Sequence, residues 1–447
     1  MVATLSAPAG PKGHWLLGNF REFARDRLAF LTDCAHRYGD CVPLRLGPKR
    51  FLLVSHPDLI EEVLVTKHRH FIKHYALRLA KRSLGEGLLT GEGEHWRRQR
   101  KLAQPGFQRD RLSGYSQVMV SYTERMLETW SAGQHRDVQD DMMRLTLEIV
   151  AKTLFDADVT GDAAAATDAM ETVLRCFSAR VESIVRMPDV VPTPVNLRMK
   201  RAARRLDNII FRIIADRRAS GEDRGDLLST LVRAQDEDDG HGMTDKQLRD
   251  EAMTLFMAGH ETTANTLAWV FYLLSRHPEV EAKLHEELSR VLGGRAPTFD
   301  DVLRLGYAED IITEALRVFP TVWIIGREAI EPCTIGGYPV PVGMTIFMSQ
   351  WVVHHDPRFF DDPEEFRPER WADGLIRRIP KHAYFPFGGG PRICIGNIFA
   401  IMEAVLLLAT IAQRFRLTLV PGTKVRPWPS MTLRPDGGLP MIVHERA

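Results

Sequence analysis

One segment of the chain, residues 244–276, constrains the fold more than any other. Thr244 and Gln247 match a capping-box pattern at its start, and Met243 and Leu248 are placed as a hydrophobic staple. Helical periodicity then continues for about 32 residues, or ~48 Å at 1.5 Å per residue, which is enough to cross a whole domain. Because most of this helix is apolar almost all round, we expect it to be buried.

The rest of the sequence is typical of a mainly α chain with small β-sheets. Residues 42–54 predict a short hairpin around a Gly-Pro pair, and helical periodicity runs from about 57 to 290. A Pro-rich stretch at 188–194 predicts a loop between two helices. Short strands punctuated by Gly and Pro follow the helical part, and one more apolar helix is expected at about 397–414.

Domain number is decided by the long helix rather than by chain length. Length alone suggests roughly two or three domains. A helix that crosses the fold, with no linker-like composition on either side, instead predicts a single domain over 1–447. We expect a β-rich N-terminal portion at about 1–75, a helical core at about 76–320, and a mixed strand and loop region at about 321–447.

Composition limits the class of partner and the compartment. The chain has 59 basic and 58 acidic residues and a net charge of +1, so nothing indicates a nucleic-acid partner. Five cysteines, a sparse odd set without a metal-type pair, fit a reducing cytoplasm better than a disulfide framework. Residues 1–20 are interrupted by Pro and Gly and contain neither a signal-peptide core nor the ~20 apolar residues of a membrane span. We expect a soluble, cytoplasmic protein with no transmembrane anchor.

Cys394 lies in a segment suited to a reactive thiolate. Residues 387–396 read Phe-Gly-Gly-Gly-Pro-Arg-Ile-Cys-Ile-Gly, a tight loop just before the apolar helix. Backbone N–H groups at a helix start favour an anion, and the glycines allow the backbone to approach a flat, bulky group. From the residues alone, Cys394 is a candidate ligand or nucleophile, and a buried small hydrophobe is the alternative.

The spacing around Cys394 decides between these alternatives. Phe387, Gly390, Arg392, Cys394 and Gly396 match the pattern F-x-x-G-x-R-x-C-x-G. The segment resembles the haem-binding signature of the cytochrome P-450 family, and the resemblance extends over essentially the whole chain, to soluble, bacterial-type members. It implies the cytochrome P-450 fold, with the long central helix over a haem b (iron protoporphyrin IX). It also implies that Cys394 is the proximal iron ligand, that Phe387 packs against its sulfur, and that Arg392 pairs with a haem propionate.

A second motif concerns folding. Glu314 and Arg317 are spaced i,i+3 on a predicted helix, so their charges share a face. Alone, such a pair is weak evidence, because surface helices contain many. Together with Arg370 it resembles the family's E-x-x-R plus Arg triad, which implies a buried structural network.

Three further residues resemble the family's partners for the haem propionates. Trp96 and Arg100 are spaced i,i+4 and therefore share a helix face. By themselves they would be a packed tryptophan and a surface arginine. Within the pattern W-x-x-x-R they resemble an indole N–H and a guanidinium directed at carboxylates. Arg327 resembles a third cationic partner.

The middle of the long helix carries the sequence Ala-Gly-His-Glu-Thr-Thr at 258–263. A bond from Thr262 back to the Ala258 carbonyl, with a kink, is one explanation of so polar a segment. The stretch also resembles the family's oxygen-activating motif, which implies a widened turn beside the iron. On this basis Glu261 and Thr262 would order the waters that deliver protons. His260 is interpreted as structural or solvent-facing and is left out of the catalytic set.

The substrate pocket is expected next to this helix. We predict a lining from Phe256 and Ala258, from residues 75–90, and from 321–325. Within the last stretch, the predicted substrate residues are Val322, Trp323 and Ile324. Many relatives carry Pro where Trp323 stands, and core packing is the alternative role of this tryptophan. An apolar pocket suits fatty acids, terpenoids, steroids or macrolides.

The resemblance implies a haem-thiolate monooxygenase that inserts one atom of O2 into a lipophilic small molecule by hydroxylation or epoxidation. Since residue 447 follows soon after Cys394, we expect electrons from a separate ferredoxin or flavodoxin-type donor with its NAD(P)H reductase. The basic run from Arg97 to Lys101 is a candidate docking face for such an acidic partner. The alternatives are a peroxygenase, an O2-independent isomerase or dehydratase, and a non-enzymatic haem sensor. Glu261 and Thr262 argue against them, because only reductive oxygen chemistry requires a proton relay.

Overall fold

The structure is a computed structural model, and it describes residues 9–156, 168–169, 172–173, 175–176, 191–236 and 240–446. Of the loop predicted at 188–194, residues 188–190 lie outside this set, and a helix begins at Pro194. The described α-helices are α1 (Phe20–Arg25), α2 (Arg27–Tyr38), α3 (Pro57–Glu61), α4 (Tyr75–Leu84), α5 (Gly93–Ala103), α6 (Arg109–Leu127), α7 (Val138–Phe155), α8 (Pro194–Ser220), α9 (Leu227–Arg233), α10 (Asp245–Arg276), α11 (Pro278–Leu292), α12 (Gly306–Val318), α13 (Gln350–His354), α14 (Leu375–Arg378) and α15 (Asn397–Arg414).

The long helix predicted from the sequence is α10, and it has 32 residues. The Thr244 hydroxyl accepts from the Gln247 N–H and the Gln247 side chain accepts from the Thr244 N–H, so the predicted capping box is confirmed. Met243 and Leu248 are both buried in the same apolar cluster. α10 packs against α7, α12 and α15, and most of its residues are buried. The helix therefore runs through the main core.

The strands form small sheets beside this helical body. They are β1 (Cys41–Leu46), β2 (Lys49–Val54), β3 (Phe71–Lys73), β4 (His135–Asp137), β5 (Ile325–Ala329), β6 (Cys333–Ile335), β7 (Tyr338–Val340), β8 (Thr345–Met348), β9 (Phe415–Leu419), β10 (Pro427–Pro429), β11 (Leu433–Pro435) and β12 (Pro440–Glu445). A five-stranded sheet has the order β1-β2-β8-β5-β3, in which β2 and β8 are parallel. The β1–β2 hairpin is the one predicted at 42–54. The other groups are β4-β12-β9, β10-β11 and β6-β7.

The N-terminal portion differs from the expectation of a β-rich segment. Two helices, α1 and α2, precede the first strand. The Asp26 carboxylate caps α2 by accepting from the Ala29 N–H at 3.0 Å, and Leu28, Leu31 and Cys34 form its buried face. Their i,i+3 spacing is a helical signal. Thus the described part of this portion, residues 9–75, combines helix and strand, and the strands β3 and β4 also interrupt the stretch expected to be helical.

α15 begins where the apolar helix was predicted. Among the described helices it alone has the length and apolar composition to cross a membrane, and 61% of it is buried inside the protein. Its buried residues belong to the same cluster as those of α6, α10 and α12. It is therefore a core helix of this fold, and it starts directly after the cysteine loop.

Candidate active site

An internal cavity of about 1180 Å³ lies between α10 and the loop at 386–396. Its walls are mainly apolar, and polar groups converge at a few points. Most of the predicted site residues line this one cavity, although they come from distant parts of the chain: Trp96, Arg100, Ala258, Glu261, Thr262, Val322, Trp323, Ile324, Arg327, Phe387, Arg392 and Cys394.

The cysteine loop presents the Cys394 side chain to the cavity. The Cys394 N–H donates to the Phe387 carbonyl at 3.0 Å, which closes the loop. Gly390 has φ +67°, and a Cβ there would lie 1.9 Å from the Leu64 carbonyl oxygen, so only glycine fits. The loop's backbone thus packs directly on the chain at Leu64, and Phe387 packs against the main core.

The electrostatics of the Cys394 thiol differ from the sequence-based expectation. Burial raises the pKa of the thiol, while the Gly396 N–H and the Arg100 charge oppose this shift. The helix start was expected to favour the thiolate, but α15 begins only at Asn397. A metal cation at the sulfur would favour the thiolate.

Cations gather at one end of the cavity. Arg327 and Arg392 both line it, and burial together with the Arg392 charge lowers the pKa of Arg327 to about 10. Lys73 is buried, and desolvation, followed by the Arg392 charge, lowers its pKa well below the ordinary value. Glu92 pairs with Arg392 and accepts from the Lys73 N–H at 2.8 Å. Arg327 and Arg392 therefore leave a net positive charge here, whereas the lowered pKa favours the neutral form of Lys73, whose Nζ donates to the Leu88 carbonyl at 2.7 Å.

His74 borders the same cluster. Its Nδ1 is buried and has no hydrogen-bond partner among the described residues. Burial first, and then the Arg327 charge, lowers the pKa of His74 to about 4, so the ring is neutral near pH 7. Sequence reasoning identified neither Lys73 nor His74 nor Glu92, because nothing in the local pattern links them to the cysteine loop.

Trp96 and Arg100 lie on one face of α5, as their spacing predicts. The Arg392 guanidinium stacks over the Trp96 ring at 4.2 Å from its centroid. Arg100 donates to the Ile393 carbonyl at 2.7 Å and so holds the cysteine loop. Arg392 also donates to the Gly91 carbonyl at 3.0 Å. α5 and the loop are therefore joined by two arginines at the cavity wall.

α10 brings the predicted oxygen motif to the cavity. The Thr262 hydroxyl donates to the Ala258 carbonyl at 2.8 Å, and both residues face the cavity. The helix stays α-helical throughout, whereas a widened turn was expected at this point. A Cβ at Gly259 would lie 2.9 Å from Val150 Cγ2, so this glycine allows α7 and α10 to approach closely.

His260 points away from the cavity and is buried, so the solvent-facing alternative is excluded. Its Nδ1 is 3.2 Å from the Phe256 carbonyl, and burial lowers the pKa of the ring. Its carbonyl accepts from the Thr146 hydroxyl at 3.0 Å. These contacts are those of a packing residue between α7 and α10.

Glu261 is held by a residue that the sequence did not suggest. The Thr432 hydroxyl donates to Glu261 Oε1 at 2.5 Å, and both residues line the cavity. Thr432 lies in the turn between β10 and β11, far from α10 in the chain. Only the fold brings the two together.

The predicted substrate residues divide into two groups. Val322, Trp323 and Ile324 line the cavity, and the Trp323 indole donates to the Ser430 carbonyl at 2.9 Å. The prediction for Phe256 was wrong, because this ring packs against Phe155 at 6.0 Å and does not line the cavity. Phe256 is instead buried in the apolar cluster that α10 shares with α7.

Other parts of the wall were missed. The residues concerned are Leu17, Phe20, Phe23, Ala24 and the turn residues Trp428, Ser430, Met431 and Thr432. The expected contribution of residues 75–90 includes Tyr75, Leu77, Leu88 and Leu89. The N-terminal residues and the turn both lie far from α10 along the chain. No spacing rule in the sequence therefore connects them to the cavity.

Glu314, Arg317 and Arg370 form a buried cluster outside the cavity. Arg317 binds both Glu314 oxygens at 2.9 Å, and Arg370 Nε binds Oε1 at 2.8 Å. The Trp371 indole adds a bond to Oε2 at 2.9 Å. Arg317 also donates to the carbonyls of residues 354, 363 and 365. The cluster thus joins α12 to the long loop that precedes the cysteine segment.

The basic run on α5 is partly paired. Arg97 pairs with Glu94, and Arg98 Nε lies 3.1 Å from Asp236. Lys101 Nζ lies 3.8 Å from the same carboxylate. A shallow cleft on this face is lined by Arg97, Arg100, Lys101 and Pro391, the last of which belongs to the cysteine loop. The run therefore borders the cysteine loop at the protein surface.

Comparison with known proteins identifies the family. The family model described as Cytochrome P450 matches residues 8–439. The crystal structure of the cytochrome P450DA heme domain superposes with a TM-score of 0.90 at 28% identity and covers 99% of this chain and 98% of that one. The chain belongs to the cytochrome P450 family.

Two relatives define the type of enzyme. Cyclooctat-9-en-7-ol 5-monooxygenase of Streptomyces melanosporofaciens is 40% identical over 96% of this chain and 94% of its own. Pentalenene oxygenase of Streptomyces avermitilis is 36% identical over 95% of this chain and 94% of its own. The chain is accordingly a P450 monooxygenase of the bacterial type, and the predicted mainly α fold with small sheets is confirmed.

The residues of the cavity fit the haem that the family implies. The Cys394 thiol is open to the cavity, and the guanidinium groups of Arg327 and Arg392 line it, with Glu92 paired to Arg392. Two propionates would balance the excess positive charge, and they would give the buried His74 Nδ1 an acceptor.

Proposed function

We propose that this enzyme hydroxylates or epoxidises a terpenoid, using O2 and electrons from a separate protein. The overall reaction takes one O2, two electrons and two protons, places one oxygen atom in the substrate, and releases the other as water. The arrangement that supports this best is the Cys394 thiol facing the Glu261–Thr262 pair across one mainly apolar cavity.

The group held in the cavity is haem b in our proposal. Cys394 would bind the iron, Phe387 would pack at the sulfur, and Ala258 would lie against the distal face. Trp96, Arg100, Arg327 and Arg392 would hold the propionates, and we add His74 to this set. When bound, the haem supplies the activation of O2, and the thiolate donates electron density to its iron.

Glu261 and Thr262 are the proposed proton-delivery residues. The Thr262 hydroxyl donates to the Ala258 carbonyl, so a rotation about its Cβ–Oγ1 bond would redirect the proton into the cavity. Glu261, which directly precedes Thr262 in α10, also lines the cavity. A carboxyl group can take up a proton and release it to a hydroxyl or a water, which is the chemistry that two protonations require.

The proposed substrate class rests on the walls of the cavity and on the relatives. A cavity of about 1180 Å³ with mainly apolar walls has room for a lipophilic molecule beside the haem. The two relatives are named for the oxidation of an alkenol and of an alkene, pentalenene. Among fatty acids, terpenoids, steroids and macrolides, a terpenoid fits both observations.

The redox partner and the compartment are also proposed. We infer a ferredoxin or flavodoxin-type donor with its NAD(P)H reductase, docked on the face that carries Arg97, Arg98 and Lys101. A cytoplasmic location agrees with a buried α15 and with the sparse, odd set of five cysteines in the sequence.

Cyclic terpene hydrocarbons and their monohydroxylated derivatives test this proposal. Each is added to the ferric holoenzyme beside fatty acids, steroids and macrolides of similar size, and the low-to-high-spin change of the haem is measured. Hits are then incubated with NAD(P)H, a reductase system and ¹⁸O2, and we expect one ¹⁸O atom in the product. Turnover with hydrogen peroxide but not with the reductase system would instead identify a peroxygenase. The Cys394→Ala variant should lose the red-shifted Soret band of the reduced carbon monoxide complex.

A further inference from the structure

A chain of hydrogen bonds ends on Glu261 and starts near the beginning of α7. Gln139 Nε2 donates to Asn265 Oδ1 at 3.1 Å, and Asn265 Nδ2 donates to Thr432 Oγ1 at 3.2 Å. Thr432 Oγ1 in turn donates to Glu261 Oε1 at 2.5 Å. Gln139, Asn265 and Thr432 are all buried. Each donor in the chain points toward the carboxylate.

This direction follows from the chemistry of the groups. A threonine hydroxyl has one proton, and here its oxygen accepts from the Asn265 amide, so its own proton is directed at Glu261. If the Asn265 side chain were flipped, its oxygen would face Thr432 and would compete with Glu261 for that proton. In the observed orientation the Gln139 N–H occupies Asn265 Oδ1, which leaves Asn265 Nδ2 to face Thr432. Aligned bonds of this kind also strengthen one another.

The segment that carries Thr432 is itself anchored. The Trp323 indole donates to the Ser430 carbonyl at 2.9 Å, and the Trp269 indole donates to the Leu433 carbonyl at 3.0 Å. The Leu433 N–H donates to the Thr321 carbonyl at 2.8 Å. The turn is therefore fixed on both sides of Thr432 by buried groups, and its hydroxyl cannot move far from α10.

We propose that Thr432 is a positioning residue that holds the Glu261 carboxylate at the cavity, with Asn265 and Gln139 orienting its hydroxyl. The inference rests on the proposed role of Glu261 in proton delivery. The chain is not a proton wire, because an amide N–H does not exchange its proton in the way that a hydroxyl or a water does. Its effect is to restrict a side chain that otherwise rotates about three bonds. Protons would reach Glu261 through water in the cavity.

Four variants of the holoenzyme test this inference. Thr432→Val removes the hydroxyl at nearly constant volume, and Thr432→Ser keeps it. Glu261→Gln tests the acid itself. Thr410→Val is the matched control, because its hydroxyl bonds only within α15, to the Leu406 carbonyl. The first readout is coupling, the fraction of NAD(P)H electrons recovered in product rather than in hydrogen peroxide, together with its solvent isotope effect.

We expect Thr432→Val to lower coupling about fivefold and to raise the solvent isotope effect, as the loss of one hydrogen bond would. Thr432→Ser should stay within about twofold of the wild type, and Thr410→Val should match it. The second readout is the Glu261 carboxyl band in infrared spectra, identified by its loss in Glu261→Gln. We expect Thr432→Val to shift this band in the resting protein, with no turnover.

The outcomes separate the two ideas. If Glu261→Gln uncouples the enzyme but Thr432→Val neither uncouples it nor shifts the band, the inference on Thr432 is wrong and the proposed function stands. If Glu261→Gln leaves coupling intact, the proposed role of Glu261 fails first. Asn265→Leu removes the N–H that orients Thr432 and should cause a smaller loss in the same direction. It serves as the second variant should Thr432→Val fail to incorporate haem.

Discussion

The Arg392 guanidinium lies 4.2 Å from the centre of the Trp96 ring and also pairs with Glu92. This arrangement uses the flat, forked shape of arginine, since one face stacks on the indole while the edge donates hydrogen bonds. The stack fixes the side chain at the cavity wall before any ligand arrives. It also shows how a long charged side chain is held in place in a glycine-rich loop.

Replacing Arg392 by lysine should weaken haem binding. An ammonium group keeps the charge, but it cannot stack on an aromatic ring or donate two parallel hydrogen bonds. We expect ferric haem to leave Arg392→Lys at least about tenfold faster than the wild type, the effect of one charge-assisted hydrogen bond. Haem transfer to apomyoglobin measures this rate. Arg414→Lys is the matched control, since Arg414 also lies over a ring, that of Phe415, but on the exposed end of α15. Equal rates for the two variants would contradict the proposed propionate role.

Removing the Glu314 charge should destabilise the fold severely. Glu314→Gln is nearly isosteric but leaves the buried Arg317 and Arg370 without an acid between them. We expect a loss of about 3–5 kcal/mol in unfolding free energy, the usual effect of stranding a buried charge. Urea titration of the holoenzyme, followed by the Soret band and by circular dichroism, measures it.

A surface pair gives the reference for that experiment. Asp33 and Arg37 are spaced i,i+4 on α2, and both are exposed. Asp33→Asn should change the unfolding free energy by less than about 0.5 kcal/mol, because solvent screens such pairs. If Glu314→Gln were equally mild, the cluster would be dispensable for folding.

The features that the sequence predicted well are local ones. The capping box of α10, the hairpin at 42–54 and the start of α15 each depend on residues a few positions apart. The helix that carries Phe256 was predicted correctly, but the side of the helix that faces the cavity was not. Because α10 is apolar on nearly all sides, its sequence does not show which side faces the cavity. The expected widened turn came from resemblance and is not seen in α10.

The features that were missed depend on contacts between distant segments. Glu92 and Arg392 form an ion pair across 300 residues of the chain, and Thr432 bonds to Glu261 across 171 residues. Neither Glu92 nor Thr432 belongs to a local pattern, so each looked like an ordinary polar residue. The helices α1 and α2 were missed although Asp26 and the Leu28–Leu31 spacing are visible in the sequence, because Pro and Gly in the opening residues suggested irregular structure.

The basic face on α5 should take part in receiving the first electron. Arg97→Gln with Arg98→Gln removes two positive charges beside the cysteine loop. We expect reduction by an acidic ferredoxin to slow about tenfold at low ionic strength and its salt dependence to flatten, because the charges steer the encounter. Stopped-flow reduction under carbon monoxide measures the rate. Arg201→Gln with Arg204→Gln, a pair of exposed arginines on α8, should leave both quantities unchanged. A rate unaffected by the α5 changes would place the docking surface elsewhere.

Glu403 should make the stability of the protein fall as the pH rises. This residue of α15 is fully buried, and its carboxylate oxygens have no well-formed hydrogen bond to any described residue. Burial raises the pKa of Glu403 from 4.5 to about 8, and the nearby Thr263 hydroxyl opposes this shift. Below about pH 4.5 the carboxyl group is protonated in both states. Between about pH 4.5 and 8 the unfolded chain loses this proton while the folded protein keeps it, so the folded state binds more protons and stability declines with pH.

The decline attributable to Glu403 is at most about 1.4 kcal/mol per pH unit within this window. Glu403→Gln cannot ionise and should remove that part of the slope. The free energy of unfolding of the variant should therefore rise steadily relative to that of the wild type from pH 5 to pH 8. Urea unfolding of the holoenzyme at half-unit pH steps measures both slopes. Glu128→Gln, a change at an exposed glutamate that follows α6, should follow the wild-type curve. Parallel curves for wild type and Glu403→Gln would mean that Glu403 is already ionised in the folded protein, and that a cation or an ordered water compensates its charge.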